Sequence, residues 1–410
     1  MLPEVMKRRS FLRSALAGAA GALARPRASD AAVGKMKITR VRFYRNPISP
    51  AYFNQSSHIV TVETDQGITG IGEGGTRETV EQCAGLLIGE DPSRTEHLWQ
   101  LMFRGHFYPA GREKLHALGA LDMALWDIKG KALGVPVYDL LGGLARDYIE
   151  CYSGFPRQGS LQETARACME AGFRAYRISL YNTEGDAPFN SHAMVRKAHQ
   201  QCIAVREGVG PDGDWALDYH TRLDMTDAIR LSTLIEPLEP YFTEDLVRSE
   251  DPGVYRELRK LVKVPIAVGE QFGARWDINE LVEQHLIDYA RVTLPNVGGI
   301  TEYMKIASLC ETHYVGLMPH FTGPVSYAAL VHCCGVFSGP VLVEMGGAGP
   351  RKLPHLAESF DFRNGKMWPN RRPGLGVELD TKPLQLVSEI TQRATPLRLP
   401  RRPDGSFLNQ

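Results

Sequence analysis

What this 410-residue sequence lacks narrows its character quickly. It has no excess of either charge, since 47 Lys and Arg face 47 Asp and Glu. A protein that grips a phosphate backbone carries a clear basic excess, so no nucleic-acid partner is expected. It has no run of about 18 apolar residues, so no membrane-spanning helix is expected either. It has no Cys-x-x-Cys, and its seven cysteines (Cys83, Cys151, Cys168, Cys202, Cys310, Cys333 and Cys334) are scattered and odd in number. A disulfide framework is thereby excluded, and the cysteines read as small buried apolar residues. Wholesale disorder is excluded as well, because 43% of residues are hydrophobic and only 23% are charged. A chain of this length exceeds one small core, and about 150 residues per domain gives two or three.

The ends differ from the middle. Residues 1–34 read as an export signal and linker: Arg8-Arg9 precedes Phe11-Leu12, a short Ala, Gly and Leu stretch follows, and small residues stand at Ala22 and Ala24. That order is a twin-arginine signal, which places the expected site of action in the periplasm or otherwise outside the inner membrane. Residues 394–410 hold Pro396, Pro400 and Pro403 among Arg398, Arg401 and Arg402, and an extended tail is expected there.

Residues 36–148 read as an α+β unit. The runs 37–44 and 58–64 alternate, Asp65-Gln66-Gly67 turns the chain into 68–73, and helical patterns then run to the stop at Gly142-Gly143. From 149 the pattern changes. Short β-rich runs recur at 149–152, 175–178, 216–219, 241–243, 265–268, 289–293, 315–318 and 341–343. Helix-like stretches lie between most of them, at 227–238, 253–262 and 301–312 for example. Strand–helix alternation implies parallel strands, and eight of them predict an α/β barrel over 149–360. Residues 361–393 follow as a separate segment.

In such a barrel the chemistry sits where strands end and βα loops begin. Those ends carry Arg177, Asp218 with His220, Glu244, Glu270, Thr293, His320 and Glu344. Asp218, Glu244 and Glu270 are 26 residues apart, one per βα unit. Three carboxylates at one mouth repel unless a cation neutralises them, and hard oxygen ligands in an open arrangement suit Mg²⁺. His220 is two residues past Asp218, so an extended strand would face both the same way. His220 and His320 can each move a proton near neutral pH, and Arg177 can orient a carboxylate or lower a neighbouring phenol's pKa.

These residues bring the chain close to a known family. Ala124-Leu-Trp-Asp-Ile-Lys-Gly-Lys-Ala132, Pro136-Val-Tyr-Asp-Leu-Leu-Gly-Gly143 and Pro373-Gly-Leu-Gly-Val-Glu-Leu-Asp380, with the three spaced acids, resemble the mandelate racemase and muconate lactonizing branch of the enolase superfamily. The resemblance spans residues 36–380. It implies an α+β capping domain over a modified (β/α)7β TIM-like barrel, with the C-terminal segment returning to the cap. It also implies a Mg²⁺-stabilised abstraction of the proton α to a carboxylate. Asp218-Tyr-His-Thr-Arg222 is similar to the Asp-x-His-x-Arg of sugar-acid dehydratases of the mannonate and galactonate types, as are residues 287–294 and 298–301. Where racemases and cycloisomerases carry Lys-x-Lys, this chain has Arg177-Ile178-Ser179. Thr293 stands where the galactonate type has an aspartate, and Asn296 where both types have a histidine.

The expected activity is dehydration of a small-molecule acid sugar, with Asp218, Glu244 and Glu270 holding Mg²⁺. Either His220 or Tyr181, activated by Arg177, would take the α-proton. His220 or His320 would protonate the departing hydroxyl, and Glu344 would hydrogen-bond the substrate. Tyr52, Asn54, Arg104, Arg222 and Trp276 are the expected substrate contacts, and a homo-oligomer is the expected assembly. Two rivals stay open: a racemase or epimerase with two bases, and a non-catalytic exported binding protein, which Ser179 and Thr293 would permit. A Schiff-base aldolase is disfavoured, because no inferred strand end carries a lysine.

Overall fold

The computed structural model describes residues 36–46, 56–105, 108–180, 189–320, 323–357, 360–394 and 399–408. The expected export signal, Tyr52, Asn54 and Tyr181 lie outside the described residues. The first unit contains strands β1 (Ile38–Arg45), β2 (Ile59–Thr64) and β3 (Thr69–Glu73). Helices α1 (Arg77–Leu87), α2 (Thr95–Arg104), α3 (Arg112–Leu133) and the single turn α4 (Val137–Leu140) follow. Antiparallel pairing runs β1–β2–β3, and α3 packs across the sheet with most of its circumference buried. The long helical pattern is thus several helices, and α3 stops at Gly134, whose φ of 70° accepts the left-handed turn that closes it.

The second unit alternates β4 (Ile149–Ser153), α5 (Leu161–Glu170), β5 (Ala175–Ser179), α6 (Ser191–Val209), β6 (Asp214–Asp218), α7 (Met225–Ile235), β7 (Phe242–Glu244), α8 (Tyr255–Leu261), β8 (Ile266–Val268), α9 (Arg275–Glu283), β9 (Tyr289–Ala290), α10 (Ile300–Thr312), β10 (Gly316–Leu317), α11 (Pro324–Val336) and β11 (Val343–Met345). Strands β4 to β10 pair in parallel, each with the next. Backbone bonds join Leu317 to Pro340 and Leu342 to Leu317, and β11 then pairs with β4, so the series of eight returns to its start. Eight strands and seven α-helices in this order make the (β/α)7β barrel. Its lower interior is a plug of Tyr152, Ala175, Ala216, Phe242, Ala267, Met318 and Leu342. The plug closes the barrel from below and leaves chemistry to the opposite mouth.

The chain then leaves the barrel through β12 (Leu356–Ala357), β13 (Phe360–Arg363), β14 (Lys366–Pro369), β15 (Glu378–Leu379) and β16 (Gln385–Ile390). Strand β14 pairs with β4, while β16 completes the cap sheet beside β1. The tail departs from the extended form expected of it. Arg401 bridges Phe407 across a turn at Gly405, and the Phe407 ring stacks on His97 of α2 at 4.9 Å. Phe407 supplies an apolar anchor that the Pro and Arg content did not reveal. All seven cysteines are buried and free, and no helix among the described residues is long and apolar enough to cross a membrane.

Candidate active site

Parallel register gathers the polar strand ends. Ser179 lies opposite Asp218, Asp218 opposite Glu244, and Thr293 opposite His320. Neighbouring strands are about 5 Å apart, so side chains at matching positions meet over the plug. Arg177 reaches three acids from β5: its Nη1 is 3.0 Å from Asp218 Oδ2 and 3.3 Å from Glu244, and its Nη2 is 2.8 Å from Glu344 Oε1. Ser179 donates its hydroxyl to Asp218 Oδ2 at 2.8 Å. Across the mouth, the fully buried Arg291 pairs with Glu244 and Glu344, the latter at 2.5 Å, and lies 3.4 Å from Glu270.

Five carboxylates (Asp218, Glu244, Asp245, Glu270 and Glu344) therefore face two guanidiniums. Solvation loss weighs on Glu244, Asp245, Glu270 and Glu344, but its outcome differs. Burial pushes Glu244 up, with the Asp218 charge adding to it, although Arg291 and Arg177 pull it down. Burial pushes Asp245 up too, followed by the charges of Glu270 and Glu244. At Glu344 burial is outweighed by Arg177 and Arg291 together, which hold its carboxyl down to about 2. Glu270 is also held low against burial, by His320 in its charged form, by Arg291 and in smaller part by His220. His320 is buried, its Nδ1 3.2 Å from the Thr293 hydroxyl and its Nε2 3.6 Å from Glu270. Burial depresses its basicity despite Glu270, which leaves a neutral imidazole at neutral pH.

The grouping differs from expectation in three respects. The carboxylates whose oxygens come together, within 4.8 Å of one another, are Glu244, Asp245 and Glu270. Asp218 is engaged by Arg177, Ser179 and the His220 backbone N–H. The extended-strand argument for His220 does not hold, because β6 ends at Asp218. His220 and Thr221 have φ of 47° and 57°, and the His220 N–H turns back to Asp218 Oδ1 at 2.6 Å. Glu344 spends both oxygens on guanidiniums.

Two residues at the site escaped the sequence reading. Arg291 follows β9 directly and stands two positions before Thr293, and a lone charge in an otherwise apolar run was the available signal. Asp245 follows Glu244 directly, and its φ of 45° turns it out of strand alternation. Its Oδ2 is buried with no hydrogen-bond partner among the described residues.

The expected substrate contacts are more scattered. Arg222 is half-buried in the loop after β6, its N–H bonded to Tyr219 O. Arg104 donates to Gln100 on its own helix at 2.8 Å. Trp276 is 53% exposed, stacked on Phe103 of α2 at 5.4 Å with the Arg275 guanidinium 4.3 Å from its centroid.

Comparison with known proteins adds to this geometry. Residues 35–142 match the mandelate racemase / muconate lactonizing enzyme N-terminal domain, and residues 160–383 match the enolase C-terminal domain-like family. The D-galactonate dehydratases of Pectobacterium atrosepticum and Ralstonia pickettii are each 36% identical over 390 residues, covering 90% of this chain and 99% of theirs. A member of the enolase superfamily from Salmonella Typhimurium superposes with a TM-score of 0.78 at 25% identity, covering 87% of this chain and all of that one. An enolase from Pantoea ananatis with bound D-gluconate and Mg superposes at 0.75 with 27% identity, covering 84% and 93%.

Proposed function

The chain belongs to the mandelate racemase and muconate lactonizing enzyme family and is a sugar-acid dehydratase of the enolase superfamily, and from that premise we propose that it works with Mg²⁺ at the barrel mouth on an aldonic acid. The observation that carries the reading is the unbalanced mouth: five carboxylates, two guanidiniums and one buried carboxylate oxygen of Asp245 without a hydrogen-bond donor. Such a donor set fits a hard divalent cation. Glu244 and Glu270 would hold it, with Asp218 or Asp245 as the third carboxylate. When bound, the cation would offset the charge that builds on the substrate carboxylate as the α-proton leaves.

The remaining work falls to the chain's own residues. Arg177 and Arg291 keep Glu344 ionised and hold the carboxylates apart. His220, presented on the loop after β6, takes the α-proton. His220 then gives that proton to the departing β-hydroxyl, which leaves as water, and His320, neutral and tied to the Thr293 hydroxyl, hydrogen-bonds the same oxygen as it leaves. A racemase would need a second base on the β5 side, and the residue there is Ser179, whose hydroxyl is committed to Asp218. The relative bound to D-gluconate supports an aldonic acid as substrate class. We also propose export by the twin-arginine route, from Arg8-Arg9, and assembly as a homo-oligomer. Changing Arg8 and Arg9 to Lys is expected to retain the protein in the cytoplasm on fractionation.

The deciding experiment is a screen of purified protein with Mg²⁺ against a panel of acid sugars, following 2-keto-3-deoxy acid formation. Dehydration of at least one aldonic acid, lost on chelation, is the expected result. Epimerised product without loss of water would replace the reading by a two-base one.

A further inference from the structure

Helices α10 and α11 start on glycines, Gly299 and Gly323, and neither has a side-chain cap of its own. Elsewhere in the barrel, α5 and α6 are capped locally by Ser160 and Asn190. For α10 and α11 the caps come from the other domain. Glu73, at the end of β3, reaches Ser326 in the first turn of α11: its Oε2 accepts the backbone N–H at 2.9 Å and the hydroxyl at 3.2 Å. Asp122, on α3, accepts the Thr301 N–H at 2.9 Å and the Thr301 hydroxyl at 2.6 Å in the first turn of α10. A carboxylate in that position satisfies N–H groups that the helix leaves open and sits on the positive end of its dipole. The glycines make room, since a Cβ at Gly323 would strike Glu73 Oε1 and one at Gly299 would strike Asp122 Oδ2.

The strands before these helices carry a hydrogen-bonded pair at the mouth that joins a histidine to a hydroxyl. Thr293 ends the strand region before α10, and His320 ends that before α11, with their side chains 3.2 Å apart. We propose that Glu73 and Asp122 are positioning residues, through which the capping domain sets the placement of Thr293 and His320. The proposal rests on the reading that His320 takes part in the dehydration. A third buried acid of the same seam is the natural control. Asp127 accepts the Leu375 N–H at 2.8 Å and the Ile71 N–H at 3.0 Å, and pairs with Lys131, but touches no helix behind a mouth residue.

The test uses the full chain with Glu73→Ala, Asp122→Ala, Glu73→Gln, Asp122→Asn, Gly323→Ala and Asp127→Asn. The two Ala variants are expected to lose at least tenfold in kcat with KM changed less than threefold. Glu73→Gln and Asp122→Asn keep an acceptor oxygen and are expected to recover most of that loss. Asp127→Asn is expected to lower thermal stability while holding kcat within threefold. In a His320→Asn background, Glu73→Ala is expected to add less than threefold. Should an Ala variant fail to fold, Gly323→Ala displaces the Glu73 carboxylate without removing a charge and is expected to show the same kcat loss.

Equal kcat losses in Asp127→Asn and the Ala variants, or a full additive effect on His320→Asn, would reduce the two acids to domain glue. Backbone hydrogen exchange separates this proposal from the function itself. If the wild-type protein dehydrates no acid sugar, the functional reading fails. The proposal then stands or falls on whether Glu73→Ala speeds exchange in residues 316–330, and Asp122→Ala in 293–305, while Asp127→Asn does neither.

Discussion

The seam between cap and barrel and the mouth of the barrel both bury several acids, and they treat them in opposite ways. At the seam, Glu73 and Asp122 meet backbone N–H groups and hydroxyls, which are dipoles rather than charges. Burial pushes both carboxyls up to about 7; those hydrogen bonds oppose it, and at Asp122 the Lys305 charge opposes it to a smaller degree while the Glu96 charge adds to it. At the mouth, guanidiniums hold Glu344 down to about 2 and help keep Glu270 low. The cost of burying a carboxylate is several kcal/mol, and a protein meets it by protonation or by pairing. Glu73 and Asp122 can use the first route because they meet N–H groups and hydroxyls, and a protonated carboxyl keeps an oxygen that accepts from them. The mouth uses the second and still leaves carboxylates in excess, and that remainder is what a cation and an anionic substrate can exploit.

The comparison breaks most visibly at Glu244. Glu244→Gln keeps the shape of the mouth but removes one negative charge, so Mg²⁺ affinity by titration calorimetry should vanish and turnover should fall on the order of a thousandfold. The fold should survive, as read by circular dichroism. Unchanged metal affinity would remove Glu244 from the proposed ligands, whereas no seam acid is expected to alter it.

A smaller loss, of about a hundredfold or more, is expected from each histidine. His220→Asn should abolish exchange of the substrate α-proton in D₂O, followed by proton NMR. His320→Asn should keep that exchange and block loss of water, because a buried imidazole whose Nδ1 meets a hydroxyl, the Thr293 one, and whose basicity burial lowers is a poor base. Exchange that survives in both variants would move the base to Tyr181 and Arg177.

How much of this was legible in the sequence depends on parity and distance along the chain. The eight barrel strands were legible, because buried parallel strands are short apolar runs separated by helical spacing. Asp218, Glu244 and Glu270 were legible as strand-end acids in phase. Asp245 was not, since strand alternation sends residue i+1 to the opposite face and only its left-handed backbone breaks that rule. The same backbone feature at His220 and Thr221 defeats the inference that two residues on means the same side. Arg291 was hidden because an arginine reads as surface until three acids are brought to it from other strands. The roles of Glu73 and Asp122 were out of reach, as Asp122 caps a helix 179 residues away.

The seam and the mouth should also separate by pH. Glu73 and Asp122 bind protons more readily folded, near 7, than at their ordinary values of 4.5 and 3.8. Their stabilisation is complete below about pH 4 and is lost as pH rises through 7, on the order of 3 kcal/mol per group. Glu344 has the opposite sign, complete above 4.5 and lost as pH falls toward 2. Urea midpoints should therefore fall between about pH 4.5 and 7.5 and level off above that. The Glu73→Gln, Asp122→Asn double variant should flatten that slope and leave the acid limb below pH 4.5 intact. A slope unchanged in the double variant would place its source elsewhere.

The smallest effect is expected where the chain belongs to neither region. Among the described tail residues Phe407 is the apolar side chain buried against the cap, with Leu399 partly buried on the same core; Phe407 stacks on His97 and has the Arg401 guanidinium 4.9 Å from its ring. Its neighbours on the tail are held by their own turn: Arg402 N–H to Ser406 O at 2.8 Å, and Arg402 Nη1 to Phe407 O at 2.7 Å. Phe407→Ala removes the stack and the apolar contact that Phe407 makes at the edge of the cap core but exposes no charge, so its cost should be about 1–2 kcal/mol. For a body of this size that is a Tm decrease of about 2–4 °C. Because Phe407 meets α2 at His97 and not at Trp99, whose Nε1 donates to Gly298 O at 2.8 Å beside the start of α10, kcat should stay within twofold and the pH slope of stability should not move. A loss of turnover here would mean that the tail, and not only the two seam acids, sets how the cap sits on the barrel.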